Sequence, residues 1–184
     1  MKGGTYSNKN GAFTIVELLI VIVVIGILAA ITIVGYSVVI GQANDKGVQS
    51  DLSEVSDMIK LKNLDTQTVP AGGITNAGVG TSTTLTGISF HPVAKVYDLT
   101  VANLYYCEGY INGTDEYALV ARAAKSKNAF SFISTKGISS FSANVWTTAA
   151  NGNAVCTALG FSAPFTWSYG FNPTSSAWSS WATP

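Results

Sequence analysis

Charge is scarce in this sequence. Only 11% of its 184 residues are Asp, Glu, Lys or Arg, against about 25% in ordinary soluble domains. Acids and bases cancel, 10 against 10, which argues against a broad electrostatic grip on nucleic acid. Residues 66–94 carry no charge, and neither does anything from Gly137 to Pro184. A cytosolic monomer usually keeps a more charged surface for solubility. This composition suits a protein outside the cell, packed against copies of itself.

The residues that do chemistry are scarce too. There is one histidine, His91, and one arginine, Arg122. No GxSxG, HExxH or phosphate-loop pattern occurs, and an enzyme needs a convergent set of polar groups. A lone histidine before a proline reads as structural or solvated. No catalysis, cofactor or metal is expected. The two cysteines, Cys107 and Cys156, lie 49 positions apart, which excludes CxxC metal and redox spacing. In an oxidising compartment they pair by default, and in a reducing one they remain buried thiols.

What the chain has in abundance is apolar length. Residues 11–36 read GAFTIVELLIVIVVIGILAAITIVGY, with Glu17 the only charge, and the 27 residues from Leu18 to Asn44 carry none. A bilayer core needs about 20 apolar residues in a helix, and Leu18–Ile40 supplies them. A cleaved secretory signal would have a shorter apolar region, about 7–15 residues. A plain membrane anchor would leave Glu17 incidental. A third reading explains it: if the leader MKGGTYSNKNGA is removed, Phe13 carries a new amine and Glu17 becomes the fifth residue. A carboxylate in an apolar setting is costly unless paired, and that amine is a natural partner. A negative charge in the first turn also suits the helix dipole.

The run Phe13-Thr14-Ile15-Val16-Glu17-Leu18-Leu19-Ile20-Val21 closely resembles the class III signal of type IV pilins and their relatives. The resemblance implies cleavage by a prepilin peptidase before Phe13, N-methylation of Phe13, and a Glu17 that neutralises an N-terminal amine during assembly. Gly26 then falls at mature position fourteen, where the family usually has glycine. The family normally has glycine before the cut, whereas Ala12 stands here. Cutting after Gly11 would shift both Glu17 and Gly26 out of register, so cleavage between Ala12 and Phe13 is expected. Val34 stands where many pilins have a proline. The likeness is specific over residues 11–33 and diffuse beyond.

After Gly41 the pattern changes. Val48, Leu52, Val55 and Ile59 form one stripe of an amphipathic helix, with Glu54, Asp57 and Lys60 away from it. Pro70 and Gly72-Gly73 stop the helix by about residue 66. From Phe13 to Asp65 one continuous helix would measure about 80 Å; the alternative is two helices broken at Gly41. Residues 66–100 read as a surface connection. Strands follow at Leu104–Cys107, Tyr117–Arg122 and Phe130–Ser134, with a hairpin turn at Asn112-Gly113 and a polar turn at Lys125–Asn128. The tail places Phe165, Trp167, Tyr169, Phe171, Trp178 and Trp181 within twenty residues. Those rings read as packing on the sheet, or as an exposed surface for subunit contact, adhesion or DNA stacking. A DNA platform would lack its basic half, because no base follows Lys136.

The expected fold is therefore α+β. A long N-terminal helix, half transmembrane and half amphipathic, packs on a small antiparallel sheet with a disulfide-closed C-terminal region. The expected divisions are a leader over residues 1–12, an apolar helix over 13–40, an amphipathic helix over 41–65, a loop over 66–100, and the sheet and disulfide region over 101–184. Asn112, Thr114, Asp115 and Glu116 make a small oxygen-rich group. Calcium stabilises related secretion pseudopilins, but the acids here are too few, so a solvated turn is expected. Asn112-Gly113-Thr114 also matches a glycosylation sequon, a pattern that recurs by chance.

The resemblance implies a structural subunit held in the cytoplasmic membrane as a precursor and then polymerised into an extracellular filament. Its partners would be other copies of the chain, the prepilin peptidase and methylase, the pilus assembly platform and, before assembly, the membrane. A pseudopilin of a type II secretion or DNA-uptake apparatus is the alternative within the same superfamily. A membrane-anchored binding protein that never polymerises is the alternative outside it.

Overall fold

The computed structural model describes residues 13–66, 81–82, 85 and 87–184. The chain divides into two units, Met1–Val38 and Val39–Pro184. One helix, α1 (Ile15–Thr66), contributes to both and runs through Gly26, Gly35 and Gly41 without interruption, so the break considered at Gly41 is absent. Pro70 and Gly72-Gly73, the expected stop signals, lie outside the described residues.

In the first unit every described side chain is exposed. Leu28 is 57% exposed and Ile33 71%. Apolar residues occupy all sides of the helix here, so no rotation could bury them on one partner face.

The second unit, the head, is built differently. Val48, Leu52, Val55 and Ile59 are fully buried, while Glu54, Asp57 and Lys60 stay in solvent. The stripe lies on a sheet whose strands are β1 (Thr81–Ser82), β2 (Asn103–Ile111), β3 (Thr114–Arg122), β4 (Ala129–Ile133), β5 (Gly137–Ser140), β6 (Phe161–Asn172) and β7 (Ala177–Trp178). The order is β1-β6-β2-β3-β4-β5, with β7 also on β6. All pairings are antiparallel except β1 with β6. The β2–β3 connection is a two-residue turn in which Asn112 and Gly113 have φ of 52° and 80°, the conformation that favours Asn-Gly in hairpins.

Three sequence expectations need correction. The meander is longer, and it gains β5 on one side and the twelve-residue β6 on the other. Glu108 and Gly109 look unlike strand residues, yet they are held with Tyr110 in β2 between β3 and β6. The 66–100 stretch, where described, is more than a surface connection. Leu85, Ile88, Phe90 and Tyr97 enter the core beside the helix stripe, and Ala94–Val96 forms a short 3-10 turn. The sheet is also buried on both faces. Leu104, Tyr106, Tyr117, Leu119 and Phe132 face α1. Tyr105, Cys107, Ala118, Val120 and Ile133 face a second core.

The second core is closed by a short helix, α2 (Gly152–Ala158), and by Phe141, Val145 and Trp146 from the segment before it. Asn151 caps α2 by accepting from the Ala154 N–H at 3.2 Å. A Cβ on Gly152 would fall 1.8 Å from the Trp167 ring, so only glycine lets the helix lie that close. Cys107 of β2 and Cys156 of α2 form a disulfide with Cα atoms 5.7 Å apart. All six tail aromatics are buried or half-buried. Phe165 joins the second core and Trp181 the first, which agrees with packing on the sheet.

Candidate assembly site at the N-terminus

The described chain starts just ahead of α1. Phe13 is 86% exposed, and Thr14 is the last residue before the first helical turn. The opening N–H groups of a helix have no partner within the helix. Here two side chains supply one reciprocally. The Thr14 N–H donates to Glu17 Oε2 at 2.8 Å, and the Thr14 hydroxyl donates to the same oxygen at 2.8 Å. The Glu17 N–H donates back to Thr14 Oγ1 at 3.2 Å. This is a capping box. It holds the carboxylate one residue from the position where an amine at Phe13 would stand. The role of Thr14 is absent from the sequence expectations, although Thr followed three residues later by Glu, directly before an apolar run, is the signature of such a box.

Of the other expected site residues, Ala12 lies outside the described residues. Gly26 has open space around it: apart from its chain neighbours and the helix's own backbone, nothing lies within 4 Å of the point where a Cβ would stand. Cys107 and Cys156 are far along the chain in the head and take no part in this site. Among the described residues, one helix is long and apolar enough to cross a membrane.

These features together are a membrane-length apolar helix, an early glutamate held at its first turn, and a phenylalanine just before it. Residues 7–33 carry a prokaryotic N-terminal methylation motif. That match is consistent with the class III signal of type IV pilin-like proteins, and it spans both the expected cleavage point and Glu17. No curated protein and no solved structure matches the chain. The motif covers the N-terminal region alone, so the head has to be understood from its own residues.

The head holds several buried acids. Asp51 accepts from the Tyr97 hydroxyl at 2.6 Å; burial pushes its carboxyl up, against the lowering effect of that bond. Burial alone would raise Asp98 as well. Hydrogen bonds from Lys127 and Thr100, and the Lys127 charge, outweigh that and hold it below the ordinary value. Glu108 is pushed up to about 7, first by burial and further by Asp115, with the Tyr106 hydroxyl opposing. In the oxygen-rich group, Asn112, Thr114 and Asp115 are exposed. Glu116 instead is buried and accepts from the Thr135 N–H at 3.2 Å and the Thr135 and Ser134 hydroxyls. Neighbouring strand residues such as Asp115 and Glu116 point to opposite faces. Among the described residues, no group of three or more His, Cys, Asp or Glu is placed to hold a metal.

Proposed function

We propose that the chain is the precursor of a type IV pilin, a structural subunit rather than an enzyme. The observation that carries this reading is the contrast at the start of α1: an exposed apolar run in a methylation motif, headed by one carboxylate held at the first turn. In the precursor, residues 13–40 sit in the cytoplasmic membrane. A prepilin peptidase cuts between Ala12 and Phe13, and Phe13 is methylated. The assembly platform then transfers the apolar helices from lipid to one another in an extracellular filament. Glu17 pairs with an incoming amine and sets register, since an unpaired charge in an apolar core costs several kcal/mol.

A pseudopilin would share every step up to the machine. A disulfide that closes the C-terminal region, and the few acids near the β2–β3 turn, support the pilin reading. Mass spectrometry of the mature protein tests the processing step, and its first residue should be a methylated Phe13. A mature chain starting at Ala12 would overturn the register, and an intact Met1 would overturn the precursor reading. Labelled surface filaments containing this chain would separate pilin from pseudopilin.

A further inference from the structure

The head is not evenly charged, and the imbalance lies at the end where the chain enters. The first head turns of α1 meet two loops. A methyl on Gly41 would lie 3.8 Å from Ser126 Cβ, and one on Gly47 would lie 2.8 Å from Val96. Asp45 accepts from the Ser126 hydroxyl and, at 2.9 Å, from the Asn128 amide. The Ala124 N–H donates to the Val96 carbonyl at 2.7 Å. Residues 41–51, 93–98 and 122–128 thus form one end of the head. They hold five bases, Lys46, Lys95, Arg122, Lys125 and Lys127, against three acids.

All three acids are already engaged. Asp45 serves the two loop residues, Asp51 serves Tyr97, and Asp98 is shared by Lys127 at 2.8 Å and Arg122 at 3.6 Å. Lys46, Lys95 and Lys125 are exposed and form none of the ion pairs seen among the described residues. The undescribed residues contain no Asp or Glu. Three cations therefore face outward without an ion-pair partner among the described residues, and the nearest further acid along α1 is the single Glu54. At the opposite end, Lys60 and Lys62 are paired with Asp57 and Asp65. From Lys46 to Asn63 the helix rises about 25 Å, more than twice the roughly 8–10 Å screening length at physiological salt. The lysines act on whatever lies at their own end.

We infer that Lys46, Lys95 and Lys125 form a collar that binds the anionic phospholipid headgroups of the membrane in which the precursor is anchored. The inference rests on reading residues 13–40 as membrane-spanning. Chain connectivity supplies the partner, because Lys46 follows the apolar run by six residues, and the two loops carrying Lys95 and Lys125 pack against Gly41–Gly47. Basic side chains next to a membrane-spanning helix are attracted by anionic lipid over about one screening length. An acidic face on a second copy is the weaker fit, since Asp57 and Asp65 at the far end are already paired, leaving Glu54 and Asp115 as isolated exposed acids outside the ion pairs seen among the described residues. The collar would hold the head on the lipid surface before assembly and release it on transfer to the filament.

The test uses the full chain in liposomes of phosphatidylcholine alone, or with about one third phosphatidylglycerol. Lysines are reductively methylated with formaldehyde and dimethylamine–borane as hydride donor, both neutral reagents, and each is followed by mass spectrometry. Anionic lipid should slow Lys46, Lys95 and Lys125 by roughly threefold or more. Lys60 and Lys136 should be unaffected, and high salt should abolish the difference. Equal rates in the two liposomes would overturn the collar. So would protection in neutral liposomes that grows with protein density, which would assign the surface to a second copy. Failure of the chain to float with either liposome would instead overturn the membrane reading beneath it.

Discussion

One helix passes through two regimes in this molecule. Up to Val38 it is apolar on every side and exposed; from Val48 to Ile59 it carries an apolar stripe, and that stripe is fully buried. Leu28 and Leu52 are the same residue type in the same helix, yet one is 57% exposed and the other fully buried. The difference separates the apolar area that stabilises the head from the apolar area left exposed. The head keeps its apolar area for itself, whereas the N-terminal unit keeps its area available for lipid or for other copies.

The largest expected effect breaks that separation from the N-terminal side. Glu17→Ala should lower filament yield by about tenfold or more, because a buried amine would be left unpaired, while membrane insertion and the head stay intact. Comparing membrane-pool subunit with sheared filament checks this, and normal filament yield would reduce Glu17 to its capping role. Glu17→Asp, which keeps the charge but shortens its reach, should be milder.

A paired substitution sharpens the same contrast. Leu52→Ala should destabilise the head by about 2–5 kcal/mol through lost burial and a cavity. Leu28→Ala should leave the head's denaturant midpoint unchanged. If both variants unfolded alike, the two halves of α1 would not be energetically distinct.

Within the head, replacing Cys107 and Cys156 by serine should cost about 2–4 kcal/mol, because the bridge ties α2 to β2 across the second core. Equilibrium unfolding with and without reductant measures it. Thiols that alkylate in folded, unreduced protein would contradict the bridge.

The smallest effect is one of pH. Glu108 keeps its proton up to about pH 7 in the folded head but releases it near 4.5 when unfolded. The folded state therefore binds more protons between those values. Stability from this group is complete below about 4.5 and is lost as the pH rises to about 7, by on the order of 1–3 kcal/mol. Asp51, also raised, adds a loss of the same sign. Asp98, held low, adds the opposite one: its stabilisation is present above its ordinary value of 3.8 and is lost on further acidification. Glu108→Gln should flatten the slope between pH 4.5 and 7 in denaturation series, and an unchanged slope would exclude Glu108 as its source.

Short-range pattern makes much of this legible from residues alone. The four-three-four spacing of Val48, Leu52, Val55 and Ile59 marks a buried helix face because side chains three and four apart share a side. Asn112-Gly113 marks a hairpin because its conformation favours those residues. The Thr14–Glu17 box is equally local, yet it is easily overlooked when the carboxylate is explained entirely by an N-terminal amine. Glu108 is not legible: nothing beside it in sequence shows that Thr166 of β6 stands opposite it.

By itself, the sequence determined the membrane-length apolar run, the motif at its head, the amphipathic stripe and the first hairpin. All of these depend on neighbours within a few positions. Tertiary structure alone decided that β6 returns to lie beside β2, that the sheet is buried on both faces, and that Glu108 and Glu116 lose their water. The β2–β6 pairs and the disulfide join residues about fifty to seventy positions apart. They are selected by total burial and backbone hydrogen bonding across the whole head, for which no local spacing in the chain provides a signal.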